Sequence, residues 1–141
     1  MKLSIYSSAN INGTNCPLFS DGIAAGFPSA YEGQSEELLD LNKFLVKTPA
    51  STFFVTVEGC SMCGAHILQD DILVVDRSLA PADGKIVIAI LNNEFTVKRL
   101  KKRGKKIFLA AENEAYKEIE ITKDMDFAIW GVVTFIIHKA K

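Results

Sequence analysis

The pattern of hydrophobic and polar positions changes twice along the chain. Residues 1–34 are rich in Ser, Asn, Gly and Ala and show no sustained period, which predicts a mobile, extended N-terminal arm. A helical period then begins, because Leu38, Leu41 and Leu45 are spaced three or four residues apart. Ser35 stands just before this pattern and is a suitable N-cap. We therefore expect one short amphipathic helix after the arm.

From residue 52 onward the period changes from 3.6 to 2, which indicates β-strands. Leu91-Asn92-Asn93-Glu94 predicts a tight hairpin, since Asn tolerates the positive φ that such turns require, and Lys102-Arg103-Gly104-Lys105 predicts a second. Many short strands favour a mainly β domain over residues 35–141, small, partly closed and barrel-like. The predicted strands are residues 52–58, 72–76, 85–91, 94–100, 105–111 and 127–138.

Composition and charge narrow the class of protein. The 141 residues, 48% of them hydrophobic, are enough for one domain with its own core. A net charge of −1 gives no overall attraction to nucleic acid or to a membrane. Three cysteines, an odd number, argue against a disulfide framework and for a reducing compartment. Because neither an export signal nor a membrane-length apolar run is visible, we expect a cytoplasmic protein without a membrane partner.

The first candidate for chemistry is Ser61, in the segment Glu58-Gly59-Cys60-Ser61-Met62-Cys63-Gly64. The segment follows a predicted strand and enters a glycine-bounded bend, where a serine is most often a simple turn residue. The sequence offers no good histidine for a triad. His66 follows Ser61 closely without an obvious orienting carboxylate, and His138 lies near the C-terminus.

If Ser61 is a nucleophile, a lysine is the most plausible base. A lysine base must be neutral, which requires burial that lowers its pKa by several units. Lys98 is the candidate, inside the predicted strand at residues 94–100. For an isolated lysine at such a position, strand alternation alone favours a solvent-facing side chain.

Five segments of the sequence form a recognisable set. The core motifs are Gly59-Cys60-Ser61-Met62, residues 69–76 and residues 94–100, and the upstream motifs are residues 17–21 and 26–29. The three core motifs, in this order along the chain, resemble the core of the LexA/UmuD family of self-cleaving serine–lysine peptidases. The two upstream motifs resemble UmuD specifically, and the whole resemblance runs from about residue 16 to the C-terminus.

The resemblance implies a role for each of these sites. Ser61 would be the nucleophile, Lys98 the general base, and the chain would cut itself between Ala25 and Gly26. Main-chain N–H groups near Ser61, at Met62, would hold the oxyanion. The small Ala25 and Gly26 suit this role, because a nucleophile can approach their backbone closely. No metal and no cofactor is implied.

The resemblance also implies partners and a trigger. A RecA–single-stranded-DNA filament formed after DNA damage would start self-cleavage, as part of the SOS response. The shortened form would then join a UmuC-type Y-family polymerase for translesion synthesis, and both forms would be homodimers. LexA carries a DNA-binding domain where this chain has a short arm, so we expect no sequence-specific DNA binding. Two alternatives stay open: a processing peptidase that acts on other proteins, and a non-catalytic interaction module of the same fold.

Two features near the site need a separate interpretation. Cys60 stands where the family often has Asp, and because it is neither nucleophile nor base we expect activity to survive. Cys60 and Cys63 form a Cys-x-x-Cys pair, but no second pair of ligands completes a zinc site, so we expect both to be incidental. The basic residues at 98–106 lack interleaved aromatic residues and favour a solvated hairpin tip over a nucleic-acid site.

Overall fold

The computed structural model of the protein describes residues 3–7, 15–19, 22, 25–26 and 36–141. These residues form ten β-strands, one α-helix and two short 3-10 turns. Helix α1 spans Leu41–Leu45, and the 3-10 turns span Pro49–Ser51 and Cys63–Ala65. The strands are β1 (Leu3–Ser7), β2 (Asn15–Phe19), β3 (Glu36–Asp40), β4 (Thr52–Val57), β5 (Ile72–Asp76), β6 (Ile86–Leu91), β7 (Glu94–Arg103), β8 (Lys106–Ala110), β9 (Ile119–Ile121) and β10 (Phe127–Ile137).

Eight strands form one antiparallel sheet in the order β1-β4-β5-β10-β6-β7-β8-β9. Sequential hairpins account for most of this order, and the last strand, β10, inserts between β5 and β6. Within the described ranges no ladder joins the two edge strands, β1 and β9, so the sheet is open. The mainly β fold with one short helix that the sequence predicts is confirmed.

The predicted strands from residue 52 onward all form, with ends within three residues of the prediction. The β6–β7 register pairs Leu91 with Glu94, which leaves Asn92-Asn93 as a two-residue turn, and both asparagines have positive φ. Gly104 also has positive φ, in the turn between β7 and β8. The three-residue strand β9 is not predicted, because so short a run carries no clear alternation.

The predicted start of the helix is wrong. Residues 36–40 form strand β3, which pairs antiparallel with β2, and helix α1 begins at Leu41. Asp40 caps the helix, since its Oδ1 accepts a hydrogen bond of 3.0 Å from the amide of Asn42. Leu38 is 74% exposed, so its helical spacing does not reflect packing on the core. The predicted cap, Ser35, lies outside the described residues.

Two strands, β1 and β2, fall within residues 1–34, which the sequence assigns to a mobile arm. Strand β1 pairs with β4 over five residues at the edge of the main sheet. Strand β2 pairs with β3 over five residues and forms a separate two-stranded sheet. The division of the chain at residue 34 stays a prediction.

The buried apolar residues form two clusters on the main sheet. The first joins β4, β5, β6 and β7 to two residues of the connection between β4 and β5, Met62 and Ile67, both fully buried. The second joins β6, β7, β8 and β10. Burying a large apolar side chain contributes roughly 1.5–3 kcal/mol. Met62 and Ile67 therefore fix an irregular connection that strand hydrogen bonds alone would not hold.

Strand β10 passes close to its neighbour at Gly131. A Cβ there would lie 2.5 Å from Val75 Cγ1 and 3.3 Å from Arg77 Cγ. We expect Gly131→Ala to lower the free energy of unfolding by about 1–3 kcal/mol, because the overpacked strand must shift. Gly22→Ala is the matched control, since no atom of the described residues lies within 4 Å of a Cβ there. Urea titration followed by Trp130 fluorescence compares the two, and equal stability would contradict the expectation.

Candidate active site

Ser61 lies in a tight turn directly after β4. The Cys60 carbonyl accepts a hydrogen bond of 3.2 Å from the Cys63 amide, which makes Ser61 and Met62 the central residues of the turn. Gly59 precedes the turn with φ +92, a conformation that favours glycine. Ser61 is only 5% exposed. It is therefore held inside the protein, unlike an ordinary turn serine.

The structure brings Lys98 to Ser61. Lys98 lies in the middle of β7, and its Nζ is hydrogen bonded to Ser61 Oγ at 3.0 Å and to the Val97 carbonyl at 3.2 Å. The side chain is only 9% exposed, and its cross-strand neighbour on β6 is the fully buried Val87. The two side chains are 37 positions apart in sequence, so the fold alone makes them adjacent.

Burial lowers the pKa of the Lys98 amine, because the charged ammonium loses contact with water. Within the described part of the chain no carboxylate forms an ion pair with Lys98, so nothing there offsets this effect. A buried lysine with a lowered pKa that contacts a hydroxyl is the arrangement expected of a general base.

The segment at residues 112–113 supports both candidate catalytic groups. Asn113 Nδ2 donates a hydrogen bond of 2.8 Å to the Cys60 carbonyl, and the Gly64 amide donates one of 2.6 Å to the Glu112 carbonyl. The Glu112 carboxylate pairs with Arg99, the residue after the candidate base. No local sequence pattern predicts a role for Glu112 or Asn113, since their contacts join residues far apart in the chain.

The two histidines do not take part in the Ser61–Lys98 hydrogen bond. His138 Nδ1 lies 2.6 Å from an oxygen of the buried Asp71, whose other oxygen accepts a hydrogen bond of 2.8 Å from the Leu68 amide. His66 is exposed and has a φ of +62. In the part of the chain that the structure covers, Ser61 is hydrogen bonded to a lysine and not to a histidine.

The remaining predicted site residues differ in their surroundings. The Met62 side chain is fully buried in the first core cluster, and its amide directly follows Ser61. Neither the Ser61 amide nor the Met62 amide donates a hydrogen bond to any described residue. Ala25 and Gly26 are exposed and lie in a bend. The cleavage at Ala25–Gly26 and the binding of an oxyanion by these amides stay predictions.

Among the described residues, no group of three or more His, Cys, Asp or Glu side chains is placed to hold a metal ion. Cys60 and Cys63 are both free thiols. No helix in the described ranges is long and apolar enough to cross a membrane.

The profile of the Peptidase S24-like family matches residues 17–134, and the chain belongs to this family. It is 39% identical over 136 residues to Protein MucA of Salmonella typhimurium, covering 95% of this chain and 92% of MucA. It is 41% identical over 125 residues to Protein ImpA of Shigella flexneri, covering 89% and 85%. LexA repressor 2 of Pseudomonas syringae pv. tomato is 36% identical over 117 residues, which are 83% of this chain and 57% of the repressor. The resemblance to the LexA/UmuD family is confirmed.

The lowered pKa of Lys98 predicts a pH-dependent stability. Between its folded pKa and its unfolded value of about 10.4, the unfolded state binds more protons, so the stability contributed by this group rises with pH. In a Ser61→Ala background, the stability of Lys98→Met relative to its parent should therefore be higher near pH 7 than near pH 10. Urea titrations across this range measure the difference.

The matched control is Lys102→Met, which removes an exposed lysine from the same strand in the same background. Its stability relative to the parent should change little between pH 7 and pH 10. A Lys98→Met difference that is equally insensitive to pH would contradict a lowered pKa.

Proposed function

We propose that this protein cuts its own chain between Ala25 and Gly26, with Ser61 as the nucleophile and Lys98 as the general base. The observation that carries the proposal is the 3.0 Å hydrogen bond between Lys98 Nζ and Ser61 Oγ, both buried. Proton transfer requires heavy atoms about 2.6–3.2 Å apart, and this pair falls within that range. Membership of a peptidase family supports the same assignment.

The reaction proceeds by acyl transfer. Neutral Lys98 takes the proton of Ser61 as Oγ attacks the Ala25 carbonyl, and the amides at Ser61 and Met62 stabilise the oxyanion. Lys98 then gives its proton to the amine of Gly26 as the peptide bond breaks. Water, deprotonated by Lys98, hydrolyses the ester between Ser61 and Ala25 and leaves a free carboxylate.

Burial makes this chemistry possible near neutral pH. An unperturbed lysine is neutral in only about one molecule in a thousand near pH 7.4. Desolvation lowers the pKa of Lys98 and so raises the neutral fraction. When the segment around Ala25 and Gly26 docks on Ser61, it excludes more water, which lowers this pKa further.

We infer a role in the SOS response to DNA damage. A RecA–single-stranded-DNA filament would promote docking of the cleavage segment, and the shortened form would act as the accessory subunit of a UmuC-type Y-family polymerase. Both forms would be cytoplasmic homodimers without a cofactor. The resemblance of residues 17–21 and 26–29 to UmuD supports this role, as do the MucA and ImpA relatives at 39% and 41% identity.

Removing either member of the dyad should abolish self-cleavage. Ser61→Ala and Lys98→Ala should each leave the chain intact, and the double variant should be no worse, because the two groups act as one unit. Lys101→Ala, which removes a half-buried lysine from the same strand, is the control and should cut normally. Intact-mass measurement after incubation detects a fragment that begins at Gly26.

Four results would contradict this proposal in different ways. Appreciable self-cleavage by the Ser61→Ala variant would rule out the mechanism. A fragment that begins at a residue other than Gly26 would show that a different bond is cut. A folded wild-type chain that cuts other proteins but not itself would indicate a processing peptidase. A chain that cuts nothing would indicate an interaction module.

The rate of self-cleavage should depend steeply on pH. Without any partner it should rise about tenfold per pH unit until the folded pKa of Lys98 is passed. With filament present, the profile should shift toward neutral pH. Initial rates from pH 6 to pH 10, with and without filament, measure both effects. A flat pH profile without filament would rule out Lys98 as the titrating base. If adding filament leaves the profile unshifted, the filament promotes docking of the cleavage segment without changing the pKa of Lys98.

A further inference from the structure

Cys60 and Cys63 flank the two central residues of the turn that carries Ser61. The hydrogen bond between their backbones closes this turn, and in such turns the first and fourth Cα atoms lie within about 7 Å. A disulfide requires Cα atoms roughly 4.4–6.8 Å apart, so the turn has the required span. The Cys60 thiol is also close enough to raise the pKa of the Cys63 thiol. The backbone of the turn therefore has the span that the bond requires, and the two thiols lie near one another.

We propose that Cys60 and Cys63 form a reversible disulfide that suppresses cleavage by Ser61, an inference that rests on the proposed function. A peroxide would oxidise the two thiols to this disulfide. Such a bond would make the sequence expectation of two incidental cysteines wrong.

The oxidation balances with hydrogen peroxide as the oxidant. The thiolate of the exposed Cys60 attacks one peroxide oxygen, which gives a sulfenic acid and releases water. The Cys63 sulfur then attacks the Cys60 sulfur and displaces its hydroxyl group as a second water. Two thiols and one peroxide thus become one disulfide and two waters. Thiol–disulfide exchange with a small dithiol returns both cysteines to the free thiols of this structure.

The surroundings of the pair assign the order of these steps. Partial burial raises the pKa of the Cys63 thiol, and the neighbouring Cys60 thiol raises it further. Because the thiolate is the reactive form, Cys63 reacts poorly with a peroxide in solution. Cys60 is exposed and takes the oxidant first, while Cys63 lies beside it to complete the bond.

A disulfide here would disturb the catalytic geometry directly. It draws the two Cβ atoms to about 3.8 Å, across a turn that contains Ser61. Asn113 Nδ2 holds the Cys60 carbonyl at 2.8 Å and lies 3.8 Å from Cys60 Sγ, so movement of Cys60 toward Cys63 alters both contacts. The peptide before Ser61 then rotates. A displacement of about 1 Å at a catalytic group can reduce a rate on the order of 10²-fold.

The test uses the full chain with Cys16→Ser, which leaves only the pair. The protein is treated with hydrogen peroxide, quenched with catalase and blocked with N-ethylmaleimide for peptide mapping. We expect a linked peptide containing Cys60 and Cys63 and an intact mass reduced by two hydrogen atoms. The initial rate of self-cleavage at alkaline pH should fall on the order of 10²-fold and return after dithiothreitol.

The control carries Cys63→Ser in the same background. This variant cannot form the bond. Its cleavage rate should therefore be the same before peroxide and after peroxide followed by dithiothreitol. Any loss of activity through methionine oxidation will appear as a lower rate of this control. A wild-type pair that stays unlinked would overturn the proposal. A protein with the disulfide that cuts itself at the same rate as the reduced protein would also overturn it. Failure of the reduced protein to cut itself at any pH would overturn the proposed function itself.

Discussion

The burial of Lys98 against Ser61 is the interaction on which the site depends. An ammonium group removed from water without a carboxylate partner is strongly disfavoured, and the protein responds by lowering its pKa. Among the described residues, Nζ has a hydroxyl and a backbone carbonyl as partners, and a neutral amine satisfies both equally well. The same desolvation that costs folding stability near neutral pH therefore prepares the group to accept a proton.

The core supplies the stability that such a burial requires. On β7, Val97 packs in the first apolar cluster and Leu100 in the second, so the strand that carries Lys98 is held by both. On the other side of the site, Met62 anchors the residue that follows Ser61. Both candidate catalytic groups thus sit next to fully buried apolar neighbours, which limits their movement relative to one another.

Local patterns in the sequence predict the strands well, because alternation and turn residues such as Asn92-Asn93 act over a few positions. Local patterns fail where the structure of a segment depends on pairing with a distant strand. Residues 36–40 form β3, not the first half of the predicted helix, because they pair with β2. Alternation alone predicts an exposed Lys98, and only the family resemblance predicts that Lys98 acts together with Ser61. Asn113 could not be found at all, since its contact to the Cys60 carbonyl spans 53 positions.

The position of the proposed cut between β2 and β3 links the chemistry to the surface of the protein. The cut would leave β1 and β2 on the N-terminal piece, whose described residues are held to the rest of the chain by strand pairing. Two isolated strands are marginal in water, so the β2–β3 pair gives that piece little stability. Once β1 leaves, the unpaired edge of β4 faces solvent, and such an edge readily pairs with another chain. Because β4 runs directly into the turn of Ser61, a single cut would both consume the substrate segment and change the surface beside the dyad.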